Sequence, residues 1–490
     1  MKTTPGNMYD QVLYHSQPAS QTHPDHLATL ATLFGLSPAP VENCRVLELG
    51  CGNGANLIPM ALTLPGSRFA GVDLAGVPLA AAQALAVELK LENIAFRQLD
   101  IMDLDPGFGE FDYIIAHGVY SWAPPAVRDK LMAVCRANLA PSGVAFVSYN
   151  TFPGCHLRKM MRGMLEYQTR NITGPELRLK HAFALINFLT ASNPKSPALR
   201  EELKKIRSRH PSVVFHDDLE PVNDPVYFHE FAEHARTHGL QFLSEAEFFS
   251  MQPAGFDAEV VDTIRLLAQG DRIKEQQYLD FLKCRRFRQS LLCHQELALD
   301  RQPAAGRIPG LCVSSPARPV QDVTDPGSDE NLEFQTPDGA SMTTNLPLAK
   351  AAILYLAARW PLAAPFRELP GASEALADLL LKIYALGLLE LHVVPSRFTL
   401  EASERPRAFS LARLQAESES YVTTLLHSTV GLDDALGRRL VTLLDGTRDR
   451  ATLLKDLEAA VDASERSGPL RAEDLERSLT GLARLALLEA

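Results

Sequence analysis

Over residues 44–150 short apolar runs alternate with helical stretches. CRVLEL, RFAGVDL, IAFRQLD, FDYIIAHG and GVAFVSYN read as buried strands, with a helix predicted over 56–64, a long Ala-rich helix after RFAGVDL, and another over 125–139. Five such strands separated by helices form a doubly wound parallel sheet, whose ligands sit beyond the carboxyl ends of the strands. After Pro153 the pattern becomes helices rich in Lys, Arg, Leu and Met, up to about Arg209. Strand-like runs resume at GLQFLSEAEF (239–248) and FRQSLLCH (287–294) and are expected to complete the sheet. Pro, Gly, Ser and Asp crowd 302–346, where LEFQTPDGASMTT predicts a hairpin with Asp338 and Gly339 at positive φ. A weak repeat then gives helix, short helix and longer helix twice, as in two small winged-helix-like modules. The expected fold is α/β: a Rossmann-like core with a helical insertion, then two small α+β domains. Its divisions are 1–155 with 223–296 (core and N-terminal lid), 156–222 (insertion), 297–402 (middle) and 403–490 (C-terminal).

Charge argues against one class of function as the main activity. The chain of 490 residues carries a formal −11, and no segment is polybasic, against a surface built to follow a phosphate backbone. Its 7 cysteines include no CxxC pair, which excludes a disulfide framework or zinc knuckle and favours a reducing, cytoplasmic setting. No secretory pattern opens the chain and no apolar run is long enough to span a bilayer, so no membrane insertion is expected.

The chemistry lies at strand ends. In RVLELGCGNGAN, Gly50, Gly52 and Gly54, with Cys51 and Asn53 between them, suit a cofactor loop or simply a tight turn. Glu48 sharpens this, because a pyrophosphate site needs no acid there whereas an ammonium does. Asp73, followed by Leu74, ends the next strand and can accept both hydroxyls of a ribose. Asp100 ends the third, where a carboxylate can take an adenine amino group while Ile101 covers the ring. Ammonium, ribose and adenine together describe S-adenosylmethionine, and the set is that of class I methyltransferases. Methyl transfer needs alignment and an unprotonated nucleophile more than covalent help.

The stretches YDQVLYHSQPASQTHPDHLATLATLFGL, VLELGCGNGANLIPMA, FDYIIAHGVYSWAPP, SYNTFPG, DFLKCRRFRQSLLCH and LLDGTRDR resemble bacterial methyltransferases that carry a methyltransferase regulatory domain, a group that includes lysine methyltransferases of outer-membrane proteins. The resemblance implies a class I core, a helical dimerisation region, middle and C-terminal domains, and an open cavity between them. Cys155 departs from the family's usual Trp after PG, and Ala75 from its common Ser.

His117 can hold the cofactor's tail or merely bond its strand neighbours. Tyr120 and Trp122 are either a core plug or a stiff aromatic wall for an incoming amine, the reading favoured by Pro124 and Pro125. Tyr149 and Asn150 are further candidates for this rim. Tyr9, Tyr14 and His23 form either a lid or a surface helix. No metal is expected: HEFAEHARTH is not HExxH and reads as a solvated helix face. Lys283, Arg285, Arg286 and Arg288 call for acids of the chain or of a partner. The leading expectation is a protein N-methyltransferase, a homodimer acting on lysine, the lysine being implied by the resemblance. A small-molecule methyltransferase, or a DNA-binding regulator with a vestigial cofactor site, are the alternatives.

Overall fold

The computed structural model describes residues 10, 12–323, 325–460 and 470–490. A seven-stranded sheet lies at its centre in the order β3-β2-β1-β4-β5-β7-β6. Strands β1 (Arg45–Leu49), β2 (Arg68–Asp73), β3 (Ile94–Gln98), β4 (Phe111–Ala116) and β5 (Leu139–Asn150) are parallel. β6 (Leu240–Glu245) and β7 (Phe287–His294) add an antiparallel edge, with β7 beside β5. Every residue of β4 is buried, as its continuous apolar run requires of a central strand. Each of its large side chains contributes about 1.5–3 kcal/mol by leaving water. The chain reverses its winding between β1 and β4, so the crevice opens at the carboxyl end of β1.

Helices α1 (Pro24–Leu33), α2 (Leu57–Thr63), α3 (Gly76–Glu88) and α4 (Pro125–Asn138) belong to the first half. The insertion holds α5 (Cys155–Thr169), α6 (Pro175–Ala191), α7 (Pro197–Arg207) and α8 (Pro211–Asp218), the last beyond the predicted helical limit. These share a separate apolar core around Leu165, Ile186, Leu203 and Phe215. α9 (Phe228–Thr237), α10 (Ala258–Ala268) and α11 (Arg272–Lys283) accompany the last two strands.

The basic knot is consumed internally. Arg288 is buried and donates to Asp280 (2.8 Å) and Glu245 (2.7 Å), Arg285 lies 3.2 Å from Asp280, and Arg286 pairs with Glu202 of α7. Lys283 donates to the carbonyls of Ser250 (2.9 Å) and Gln252 (2.6 Å). These contacts tie β7 to its helices and to the insertion.

Beyond β7, strands β8 (Cys312–Ser314), β12 (Ala364–Pro365) and β13 (Glu390–His392) form one small sheet, with helices Pro347–Arg359 and Glu374–Ala385 beside it. The expected hairpin pairs β10 (Leu332–Gln335) with β11 (Ser341–Thr344), and β9 (Arg318–Pro319) pairs β10 on its other side. Of its two turn residues only Gly339 takes positive φ, +97°; Thr336 closes the loop on Ala340, so a longer turn spares Asp338 that conformation. Near the C-terminus β14 (Tyr421–Thr423) and β15 (Thr429–Gly431) form a second hairpin, followed among the described residues by three helices. One apolar cluster runs unbroken from α1 and α2 through both terminal regions.

Candidate functional site

The loop after β1 is shaped by its glycines. Gly50, Gly52 and Gly54 all have positive φ, and a Cβ would meet Val119 Cγ2 at 2.7 Å from Gly50 and Phe96 Cζ at 2.8 Å from Gly54. The amides of Gly50 and Cys51 donate to Val72 O (2.8 and 3.1 Å), locking the loop to β2. Cys51 is buried; Asn53 accepts from Ala55 N (3.2 Å). Asp73 Oδ2 accepts from Gly52 N (2.8 Å) and Oδ1 from Ala75 N (2.8 Å). A carboxylate has about four acceptor positions, so Asp73 retains capacity for a diol. The second bond turns the chain into α3, and in the first turn of that helix Asp10 Oδ1 accepts from Val77 N (2.9 Å).

Glu48 is 4% exposed. Its Oε1 accepts from Asn56 Nδ2 (2.9 Å), while Oε2 is buried and meets no donor among the described residues. Burial, with the charge of Asp73 adding to it, lifts its pKa to about 8. A buried carboxylate oxygen without a donor is costly, and an ammonium would satisfy it. Asp100 caps a short turn through Met102 N (2.9 Å), with half-buried Ile101 beside it. Leu74 (57% exposed) and Met102 (44%) project beyond the ends of neighbouring β2 and β3, offering apolar faces for a planar ring.

The loop after β4 departs from expectation. Tyr120 is buried, tilted against Tyr149 and edge-on to Phe231, with its hydroxyl bonded to His234 Nδ1 (2.8 Å). Tyr149 lies 4.0 Å from Phe231 and bonds Ser290 Oγ (3.0 Å). Both rings are core plugs, because α9 seals the sheet face at the point where a rim was expected. Asn150 is also buried: its N–H donates to Ser121 Oγ (2.8 Å) and its amide contacts Asn223 (3.4 Å), so it holds the strand end. Trp122 is half-buried, with the guanidinium groups of Arg158 and Arg162 at 5.9 and 5.8 Å. Two cations of α5 thus flank its ring and tie this loop to the insertion. His117 follows β4 and faces its neighbour strand β5. Its Nδ1 contacts Ser148 Oγ (3.0 Å), burial drops its pKa to about 4, and it is neutral at pH 7. Phe287, 43% exposed at the start of β7, stands edge-on 6.4 Å from it.

The N-terminal segment crosses this crevice. Ser16 lies near Gly52, 3.7 Å from the position of a Cβ. Val12 O bonds His216 Nε2 (2.7 Å) and His15 N donates to Ser212 Oγ (3.3 Å), pinning the segment to α8. Tyr14 tilts against His216 at 5.6 Å, and burial raises its hydroxyl pKa to about 12. His23 caps α1 through Asp25 N (3.2 Å) and is half-buried; Tyr9 falls outside the described residues. In HEFAEHARTH, His238 and His234 face Asp129 of α4 at 2.9 and 3.5 Å, an acid no local spacing reveals. Cys155 is buried, its thiol donating to Arg286 O (3.1 Å).

Comparison with known proteins places these observations. Residues 46–143 match the methyltransferase domain family, 210–294 the predicted methyltransferase regulatory domain, and 404–485 the C-terminal winged helix domain of PKMT. The regulatory match includes β6 and β7, so that region completes the sheet. An uncharacterised protein of Rickettsia prowazekii is 32% identical over 484 residues, 94% of this chain and 87% of its own. A second from that organism is 37% identical over 248 residues, half of this chain and 99% of its own. The structure of PKMT2 from Rickettsia typhi covers 97% of this chain and 99% of its own at 27% identity with a TM-score of 0.85, as does its complex with AdoHcy. With a glycine loop, strand-end acids and a donor-poor Glu48 that fit S-adenosylmethionine, the chain belongs to the S-adenosylmethionine-dependent methyltransferases that join a class I core to a methyltransferase regulatory domain and a PKMT winged helix domain.

Proposed function

We propose that this enzyme is a protein-lysine N-methyltransferase. The observation that carries the reading is the full-length similarity to PKMT2 of Rickettsia typhi, together with the PKMT winged helix match at 404–485. S-adenosylmethionine supplies an electrophilic methyl group. In this reading Glu48 holds its ammonium, Asp73 its ribose, and Asp100 with Ile101, Leu74 and Met102 its adenine. Gly50, Cys51, Gly52, Asn53 and Gly54 bring backbone close to the tail, and the segment bearing Tyr14 covers it.

A lysine amine, with an ordinary pKa near 10.4, must lose its proton before attack. His117 and Phe287 form the described rim: a neutral imidazole and an apolar ring that favour the uncharged amine by keeping water away. Residues 1–155 and 223–296 hold the cofactor, 156–222 dimerise, and 297–402 with 403–490 flank the substrate. Exposed Leu177, Phe188 and Tyr167 on the insertion helices support a homodimer. Free thiols at all 7 cysteines support a cytoplasmic setting. No described helix is long and apolar enough to cross a membrane.

The test is transfer of labelled methyl groups from S-adenosylmethionine to a bacterial lysate and to purified outer-membrane proteins, followed by hydrolysis. Label in methyl-lysine is the expected result; label confined to small molecules would replace the reading with a small-molecule methyltransferase.

A further inference from the structure

The hairpin between β14 and β15 reaches from the C-terminal region into the cofactor crevice. Its tip is closed by Thr424 N donating to Ser428 O (2.8 Å), and it leans on the chain end through Leu425 N to Ala486 O (2.9 Å). His427 sits in this tip at φ +54°, 6% exposed, with Nε2 2.8 Å from Asn56 Oδ1. Asn56 in turn donates from Nδ2 to Glu48 Oε1 (2.9 Å).

The direction of these bonds fixes the chemistry. An amide oxygen accepts and an amide nitrogen donates. Asn56 Oδ1 receives Ala19 N–H (3.0 Å) and faces His427 Nε2, so Nε2 carries the proton. Flipping the amide would set its NH2 against the fixed donor Ala19 N–H and its oxygen against Glu48 Oε1. His427 therefore helps hold Asn56 in the one orientation that donates to Glu48 Oε1, which leaves Oε2 as the oxygen without a partner. Thr22, fully buried, contacts Asn56 at 3.0 Å and completes the packing.

We propose that His427 is a positioning residue for the cofactor's amino-acid end, acting through Asn56 on Glu48, so that the C-terminal winged helix domain is part of the cofactor site. The inference rests on the reading that Glu48 receives the cofactor's ammonium. It makes docking of the C-terminal domain and affinity for the cofactor's tail one coupled equilibrium.

The test measures calorimetric affinity for S-adenosylhomocysteine and for 5′-methylthioadenosine, which keeps the adenosine but lacks the amino-acid tail. His427→Phe fills the space without a donor, His427→Gln restores an N–H, and Glu48→Gln checks the underlying reading. Loss of one charge-coupled hydrogen bond corresponds to about five- to tenfold in affinity. His427→Phe is expected to weaken S-adenosylhomocysteine by about that factor and to leave methylthioadenosine within about twofold, while His427→Gln stays near wild type. In a Glu48→Gln background His427→Phe is expected to cost little more. Equal weakening of both ligands, no weakening of either, or His427→Gln behaving as His427→Phe overturns the proposal with Glu48 untouched. If His427→Phe fails to fold, His427→Gln alone decides: selective retention supports the proposal and loss of the tail-bearing ligand overturns it. Glu48→Gln binding S-adenosylhomocysteine as wild type does would remove the ammonium reading first, and His427's role with it.

Discussion

Glu48 is the residue on which cofactor binding is expected to turn. Burial holds its pKa at about 8 against an ordinary 4.5, so in the free protein it is largely neutral at pH 7. A raised carboxyl pKa stabilises the free fold below pH 4.5, and that contribution is lost as pH rises through about 8. An ammonium reverses the preference by pairing with the charged form. Affinity for S-adenosylhomocysteine should therefore rise by roughly tenfold per pH unit towards 8 and then level, with proton release visible in buffers of different ionisation enthalpy. Glu48→Gln should flatten the slope; a flat profile in the wild type would defeat the argument. Asp73→Ala, which also removes the clamp on Gly52 N, should weaken the cofactor by at least about a hundredfold, two hydroxyl contacts at about 1.5 kcal/mol each. Both acids were legible in the sequence because each interrupts an otherwise apolar strand end. Asn56 and His427 were not, since their bond joins positions 371 apart and neither breaks a local pattern.

Among the elements, the strands were read well because period and burial coincide in them, and FRQSLLCH matches β7 end to end. α8 was missed: PSVVFHDD has two β-branched residues and only eight positions, too few for a helical stripe to stand out. The turn at Tyr120–Trp122 was recognised as special but its purpose was open, since a core plug and a substrate wall have the same composition. The partners decide it: α9 covers Tyr120, and α5 presents Arg158 and Arg162 to Trp122. As an anchor, Trp122→Ala should cost about 1–3 kcal/mol of stability from lost packing and cation–π contact. It should leave cofactor affinity within about twofold and reduce turnover by loosening the loop that carries His117. Chemical denaturation and initial rates measure both. In an Arg162→Gln background the Trp122→Ala penalty should shrink, as contacting residues are coupled; full additivity would return Trp122 to the substrate side.

At the scale of the whole molecule, the terminal regions are docked to the core by polar bonds as well as by the shared apolar cluster. Their helical repeat was visible in the sequence, but repeats specify units and not the surfaces that join them. Asp25, in the first turn of α1, is one such joint. Its Oδ1 accepts from Val393 N (2.8 Å) and Val394 N (3.2 Å), and Oδ2 lies 2.8 Å from His392 Nδ1 at the end of β13. Despite a desolvation cost that opposes charge on both groups, the charge and hydrogen bond of His392 lower the pKa of Asp25, and those of Asp25 raise the pKa of His392. The pair's stabilisation is therefore lost at two ends. It fades as pH falls through the depressed pKa of Asp25, and again as pH rises through the elevated pKa of His392. Asp25→Asn keeps the size of the side chain but offers one oxygen and no charge, so it should lower stability by about 1–3 kcal/mol near neutrality. Its penalty should shrink as pH rises through the elevated pKa of His392, where the wild-type pair also loses its charge. Denaturation midpoints from pH 5 to 9 would show this, and faster amide exchange at Val393 and Val394 would locate the loss at the joint. A penalty independent of pH would mean that the backbone bonds alone hold the middle region to α1.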